Sequence, residues 1–241
     1  MKTHNQMKKG AVTALVMAFV PVVGQAAEGK IYYGFQAEQF EYRIGDENEK
    51  RVVWDADAFV GTDELKLRWQ GEGERDLDAD INEKLENRLV LQTPISDFFD
   101  AKAGVRLDTP TGTDRWYGSV GVMGLAPQWF EIDADLFVSE TGDGSARLDV
   151  EYEGLITNRL VLTPSFEINA AFSEDREIEV GKGISSAEIG LRLSYDLIDR
   201  AVSPYIGVSY ERKFGDTADF AKHDGEDYEA TYFVTGLRLM F

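Results

Sequence analysis

Acidic residues recur two apart along this chain, as Asp55-x-Asp57, Glu131-x-Asp133-x-Asp135 and Asp149-x-Glu151-x-Glu153. In an extended strand, residues i and i+2 point to one side, about 7 Å apart. Each set is therefore a row of carboxylates that could hold a divalent cation or hand it along. The candidate metal ligands are Asp55, Asp57, Glu131, Asp133, Asp135, Glu151, Glu153 and Glu211. The competing reading is structural: such acids pair across strands with Lys66, Arg68, Lys84, Arg88, Arg106, Arg147, Arg192, Lys213 and Arg238 and fill a polar interior.

Other chemistry is thinner. Asp76-x-Asp78-x-Asp80 begins like a calcium loop, but Ile81 stands where Gly is needed and Asn87 where a bidentate Glu belongs. That excludes an EF-hand and leaves a loose divalent site bridging lipopolysaccharide. His223-Asp224 reads as a solvated loop pair rather than a metal ligand or half of a dyad. With no other histidine beyond His4 near the amino terminus, a Ser/His hydrolase has no components in a strand, and the chain is expected not to be an enzyme.

The elements that must position the acids are strands. In "LKLRW", Leu65, Leu67 and Trp69 oppose Lys66 and Arg68. In "FEIDADLFV", Phe130, Ile132, Ala134, Leu136 and Val138 oppose Glu131, Asp133 and Asp135. "DAKAGVRLD", "ARLDVEYE" and "AEIGLRLSYDL" repeat this period of two, which is a strand signal. Every such run has one charged face and one face mixing small, aliphatic and aromatic residues, for about ten residues, the length of a tilted membrane-crossing strand. Only a closed barrel satisfies strand backbone groups in lipid. The reading is an all-β, antiparallel up-and-down transmembrane barrel of about 12 strands with a polar, charged lumen. The strands are expected near 31–43, 51–60, 64–74, 81–92, 99–108, 114–125, 128–139, 146–156, 159–170, 186–197, 204–214 and 230–241. An even count puts both termini at one end, the periplasmic one, with short turns there and longer loops opposite, among them 173–184 and 215–228. A slip of apolar phase between Phe35 and Phe40 predicts a bulge or an early inward plug, and Pro164 predicts another irregularity because it removes a ladder donor.

Both ends of the chain fit this reading. Lys2, Lys8 and Lys9 precede the apolar run Ala11 to Val23 and the small-x-small stretch Gly24-Gln25-Ala26, the order of a secretory signal peptide. Cleavage near Ala26 leaves residues 27–241 as the barrel and takes the formal charge from −19 to −22, three lysines being lost. Such acidity disfavours nucleic acid and favours cations. Cysteine is absent, so no disulfide holds the exported chain. The final strand "EATYFVTGLRLMF" ends on Phe241, a large apolar residue that needs an apolar place, here the lipid at the periplasmic rim.

Six stretches in order, "WDADAF" (54–59), "WQGEGER" (69–75), "GLAPQWFEIDADLFV" (124–138), "ARLDVEYEGLITNRLVLTP" (146–164), "SSAEIGLRLSYDL" (185–197) and "ERKFGDTADFA" (211–221), resemble the copper resistance protein B family of Gram-negative outer membranes. The resemblance spans about 200 residues. It implies a role in copper tolerance, with copper ions bound or passed across the outer membrane and a periplasmic multicopper oxidase as partner. One departure is visible. Family members commonly carry a Met- and His-rich segment ahead of the barrel, whereas here Ala27 to Tyr33 leads straight into the first strand. That makes the barrel itself the expected conduit or weak cation binder. The alternative function is a general cation-preferring pore of the outer membrane without copper specificity.

Overall fold

The computed structural model describes residues 30–241; the expected signal peptide, 1–26, lies outside them. Thirteen strands form one sheet: β1 Tyr32–Gly45, β2 Lys50–Gly61, β3 Lys66–Asp76, β4 Ile81–Pro94, β5 Phe99–Asp108, β6 Arg115–Ala126, β7 Phe130–Ser139, β8 Gly144–Tyr152, β9 Gly154–Leu155, β10 Leu160–Ala171, β11 Gly183–Tyr195, β12 Val202–Lys213 and β13 Glu229–Met240. The two-residue β9 continues β8, since both pair with β10, so the wall has twelve staves. Each stave pairs antiparallel with its neighbours in the sequence, and β13 returns to β1, closing the sheet. Closure removes every free edge.

Both anticipated irregularities are present. In β1 the register shifts past Ala37 on both sides, toward β2 and toward β13, absorbing an extra residue near Glu38. Opposite Pro164, which has no N–H to donate, β8 breaks at Glu153. Pairing of β10 resumes with β8 at Ser165 and with β9 at Leu162.

At the terminus-bearing end three turns use one device. Thr62, Ser96 and Thr157 each accept, through the side-chain hydroxyl, the backbone N–H three residues on, from Leu65, Phe99 and Leu160. The opposite end has the longer connections. Residues 215–228, expected as a loop, instead contain a helix, α1 (Gly215–Asp224), whose Ala218 and Ala221 are buried. Gly225, at φ 81°, ends it in the left-handed conformation that glycine adopts without strain. His223 is therefore a helix residue in the last turn rather than a loop residue.

The core is inverted relative to a water-soluble protein. Val120 and Leu136, register partners on β6 and β7, are 54% and 51% exposed, while Glu86 and Lys102 are 1% and 3% exposed. Aliphatic side chains cover the outer wall and ionised ones fill the inside, the arrangement of a barrel surrounded by hydrocarbon. Tyr33, Phe98, Trp129 and Phe241 are exposed at one end and Trp116 and Phe172 at the other, as the aromatic girdles of a membrane barrel require. The outer wall also explains "WQGEGER". A Cβ on Gly73 would lie 2.0 Å from the Trp54 ring, so glycine lets that indole lie flat against the sheet. The chain end is zipped in, the Phe241 N–H donating to the Phe35 carbonyl at 2.8 Å and the Phe35 N–H donating back at 2.9 Å.

Candidate functional site

The lumen holds two chambers separated by a layer of ion pairs. At the terminus-bearing end a cavity of 620 Å³ is lined by Glu38, Asp55, Asp57, Glu131, Asp133, Asp149 and Glu151, among others. At the loop end a cavity of 380 Å³ is lined by Glu83, Arg106, Asp108 and Glu211, among others. Four side chains line both: Glu74, Lys84, Glu167 and Glu188.

The layer between them is built from β4 outward. Glu86 accepts from Arg147 at 2.9 Å and contacts Arg106 and Arg88, each at 2.8 Å. Arg88 reaches across to Asp135 at 2.6 Å and also pairs with Glu72. Lys102 donates to Asp133 at 2.6 Å and to Asp135 at 2.8 Å. Arg147 on β8 thus meets carboxylates of β3 and β4 on the far wall, which no local register could supply. A second group crosses between β1 and β11, where Glu41 accepts from Arg192 at 2.5 Å, Arg43 at 2.8 Å and the Tyr205 hydroxyl at 3.0 Å. Phe137 points inward and is 2% exposed, with the guanidinium groups of Arg106, Arg88 and Arg147 at 4.6, 5.8 and 5.8 Å from its ring centre. The electron-rich face of the ring attracts these guanidinium groups.

Side-by-side register, rather than spacing along one strand, creates the most distinctive feature. Asp133 stands opposite Asp149, Asp149 opposite Glu167, Glu167 opposite Glu188, and Glu188 opposite Glu211. Five carboxylates on five consecutive staves, β7, β8, β10, β11 and β12, are lateral neighbours with side chains about 5 Å apart. Because barrel strands tilt, a row of register partners climbs the wall. Its lower members, Asp133 and Asp149, line the terminus-end chamber, Glu167 and Glu188 line both chambers, and Glu211 lines the loop-end chamber. The row is a staircase of carboxylates joining the two. Like charges directly opposite one another destabilise a sheet unless cations neutralise them. Protein cations serve Asp133 and Glu188, through Lys102 and Arg43, and Arg147 approaches Glu167 at 3.8 Å. Among the described residues no ion pair serves Asp149 or Glu211, the second and last steps.

The expected ligands are thus spread over the lumen rather than gathered. Asp55, Asp57, Glu131, Asp133 and Glu151 share the terminus-end chamber. Asp57 is paired with Arg68, and Glu151 and Glu153 with Arg238 at 2.8 and 2.5 Å, whereas Asp55 and Glu131 have no ion-pair partner among the described residues. Asp135 is taken up by the ion-pair layer and Glu211 lies at the loop end. Among the described residues no three His, Cys, Asp or Glu side chains converge as a metal-ligand set. Sequence reasoning passed over Glu38, Glu167 and Met123. Met123 is the register partner of Asp133 and lines the same chamber, adding a thioether to its oxygens. The Asp76 loop is consumed internally: Asp76 accepts from the N–H groups of Asp78 and Ala79 at 2.7 Å, and Asp80 pairs with Arg75 at 2.5 Å.

The model of the copper resistance protein B precursor family (CopB) matches residues 31–241, the whole barrel. The chain belongs to the copper resistance protein B family. It is 36% identical to Copper resistance protein B of Escherichia coli over 93% of this chain and 75% of that protein. It is 32% identical to the Copper resistance protein B homolog of Pseudomonas syringae pv. tomato, over 90% of this chain and 72% of that protein. Among solved structures the barrel resembles the NanC porin, with a TM-score of 0.53 at 12% identity over 86% of this chain and 99% of the porin, a likeness of fold alone.

Proposed function

We propose that this family member is an outer-membrane conduit that takes copper ions as cargo and relays them along the carboxylate staircase. Both termini lie on the periplasmic side in this reading, so the wider acidic chamber opens to the periplasm. A periplasmic multicopper oxidase is the expected partner there, and lipid and lipopolysaccharide surround the wall and outer loops.

The observation that carries the reading is the unbroken row Asp133, Asp149, Glu167, Glu188 and Glu211, which joins the two chambers through carboxylates. Carboxylate oxygens accept Cu(II), and the Met123 thioether adds a ligand of the kind that Cu(I) prefers. Single oxygens about 5 Å apart, without a closed chelate, suit transient binding, since a conduit must release what it admits. The lack of a converging ligand set among the described residues also favours the second reading, a cation-preferring pore without copper specificity.

Reconstitution separates the two. Refolded residues 27–241 in liposomes should admit Cu²⁺ faster than Mg²⁺, and Asp149→Asn combined with Glu211→Gln should slow copper entry by roughly fivefold or more. Equal passage of both ions by the wild type selects the general pore. Copper entry unchanged in the double variant overturns the staircase.

A further inference from the structure

The junction between the two chambers contains one lysine, held differently from Lys102 and from the arginines of the ion-pair layer. Among the described residues that line both chambers, Glu74, Glu167 and Glu188 contribute carboxylates and Lys84 is the one cation. Lys84 stands opposite Glu74 in the β3–β4 ladder and makes one ion pair, to Glu72 at 2.6 Å. Its side chain is 34% exposed, whereas that of Lys102, bound to two aspartates, is 1% exposed and that of Arg147 is 5% exposed. The arginines are locked by several bonds each. Lys84 is a compact charge on a flexible four-carbon stem with a single anchor.

We propose that Lys84 is the gate of this lumen, its ammonium group occupying the cation position where the two chambers meet and giving way to a divalent ion rather than to a monovalent one. Lys84 carries one positive charge, so a divalent cation arriving along the staircase at Glu167 and Glu188 displaces its ammonium from the shared space, while potassium does not. The ammonium then swings aside and returns once the ion has moved on. This inference rests on the cation-path reading and names the residue that sets its selectivity.

Conductance in planar bilayers tests it directly. The wild type should pass little potassium current, and Lys84→Gln, which can still hydrogen-bond Glu72, should raise that current by roughly threefold or more and make it more cation-selective. Lys84→Arg keeps the charge with more bonding capacity and should conduct no better than the wild type. Because the chain contains no cysteine, Lys84→Cys carries a single thiol. A cationic methanethiosulfonate should close this variant and an anionic one leave it open, a comparison made within one folded population. Folded Lys84→Gln with wild-type current, a rise in Lys84→Arg, or equal effects of the two reagents overturns the gate. If the gate responds as expected while copper is not carried in preference to magnesium, the copper reading alone fails.

Discussion

Two rows of acids climb the inner wall, and they differ in how heavily protein cations pair them. On β2 to β5, Asp55, Glu72, Glu86 and Asp108 are lateral neighbours just as Asp133 to Glu211 are on β7 to β12. In the first row Glu72 meets Arg88, Arg147 and Lys84, Glu86 meets Arg88, Arg106 and Arg147, and Asp108 meets Arg106, while Asp55 at its end has no ion-pair partner among the described residues. In the second row the arginines stand farther off, and two of the five steps have no protein cation among the described residues. The same residue type on the same face thus serves as mortar in one half of the barrel and as a track in the other. A carboxylate surrounded by guanidinium groups is committed to structure. One facing only other carboxylates is neutralised by a proton or by a cation from solution.

The strongest way to break this contrast is to cut the heavily paired centre of the first row. Glu86→Gln leaves three buried guanidinium groups short of a counter-charge and should destabilise the refolded barrel by about 3 kcal/mol or more in urea unfolding. Phe137→Leu removes the ring on which the Arg106 guanidinium rests and should cost about 1–2 kcal/mol by the same measurement. Asp149→Asn with Glu211→Gln should change stability by less than about 1 kcal/mol, and in the stabilising direction if anything, because like charges are removed. Copper entry should nevertheless fall, so the two rows separate by assay as well as by size.

The smallest effect concerns the loop end. Asp143 accepts hydrogen bonds from Ser173 and Thr141, each at 2.7 Å, and these hold its carboxyl below the usual aspartate range. A depressed native value means that the contact stabilises the loops above the ordinary carboxylate range and is lost as pH falls through the depressed value. Asp143→Asn should raise protease cleavage of the outer loops about twofold at neutral pH, with the difference vanishing in acid.

The barrel was legible because alternation is a local property. "LKLRW" and "FEIDADLFV" declare which residues face lipid whatever their partners, and Phe35, Phe40 and Pro164 marked where the ladder is disturbed. The helix at Gly215–Asp224 was not legible, because its mean apolar content is low and it is held by two small residues against the wall. The candidate ligands were read in rows along single strands, which correctly placed Asp133 and Asp135 on one face. It could not tell that Asp135 ends in an ion pair with Arg88 and Lys102, or that Glu167 belongs beside Asp149.

The chain alone determined the inverted packing, the closed sheet and the family, because hydrophobic period and motif order are written residue by residue. Which carboxylates are neutralised, and which are left as a continuous row between two chambers, was decided only by strand register and closure. The ladder partners of the staircase lie 16 to 23 positions apart in the chain, as with Asp133 and Asp149 or Glu188 and Glu211, and cross-lumen partners lie farther still, as with Glu86 and Arg147. Electrostatic pairing depends on distance in space, and only the folded barrel sets that distance.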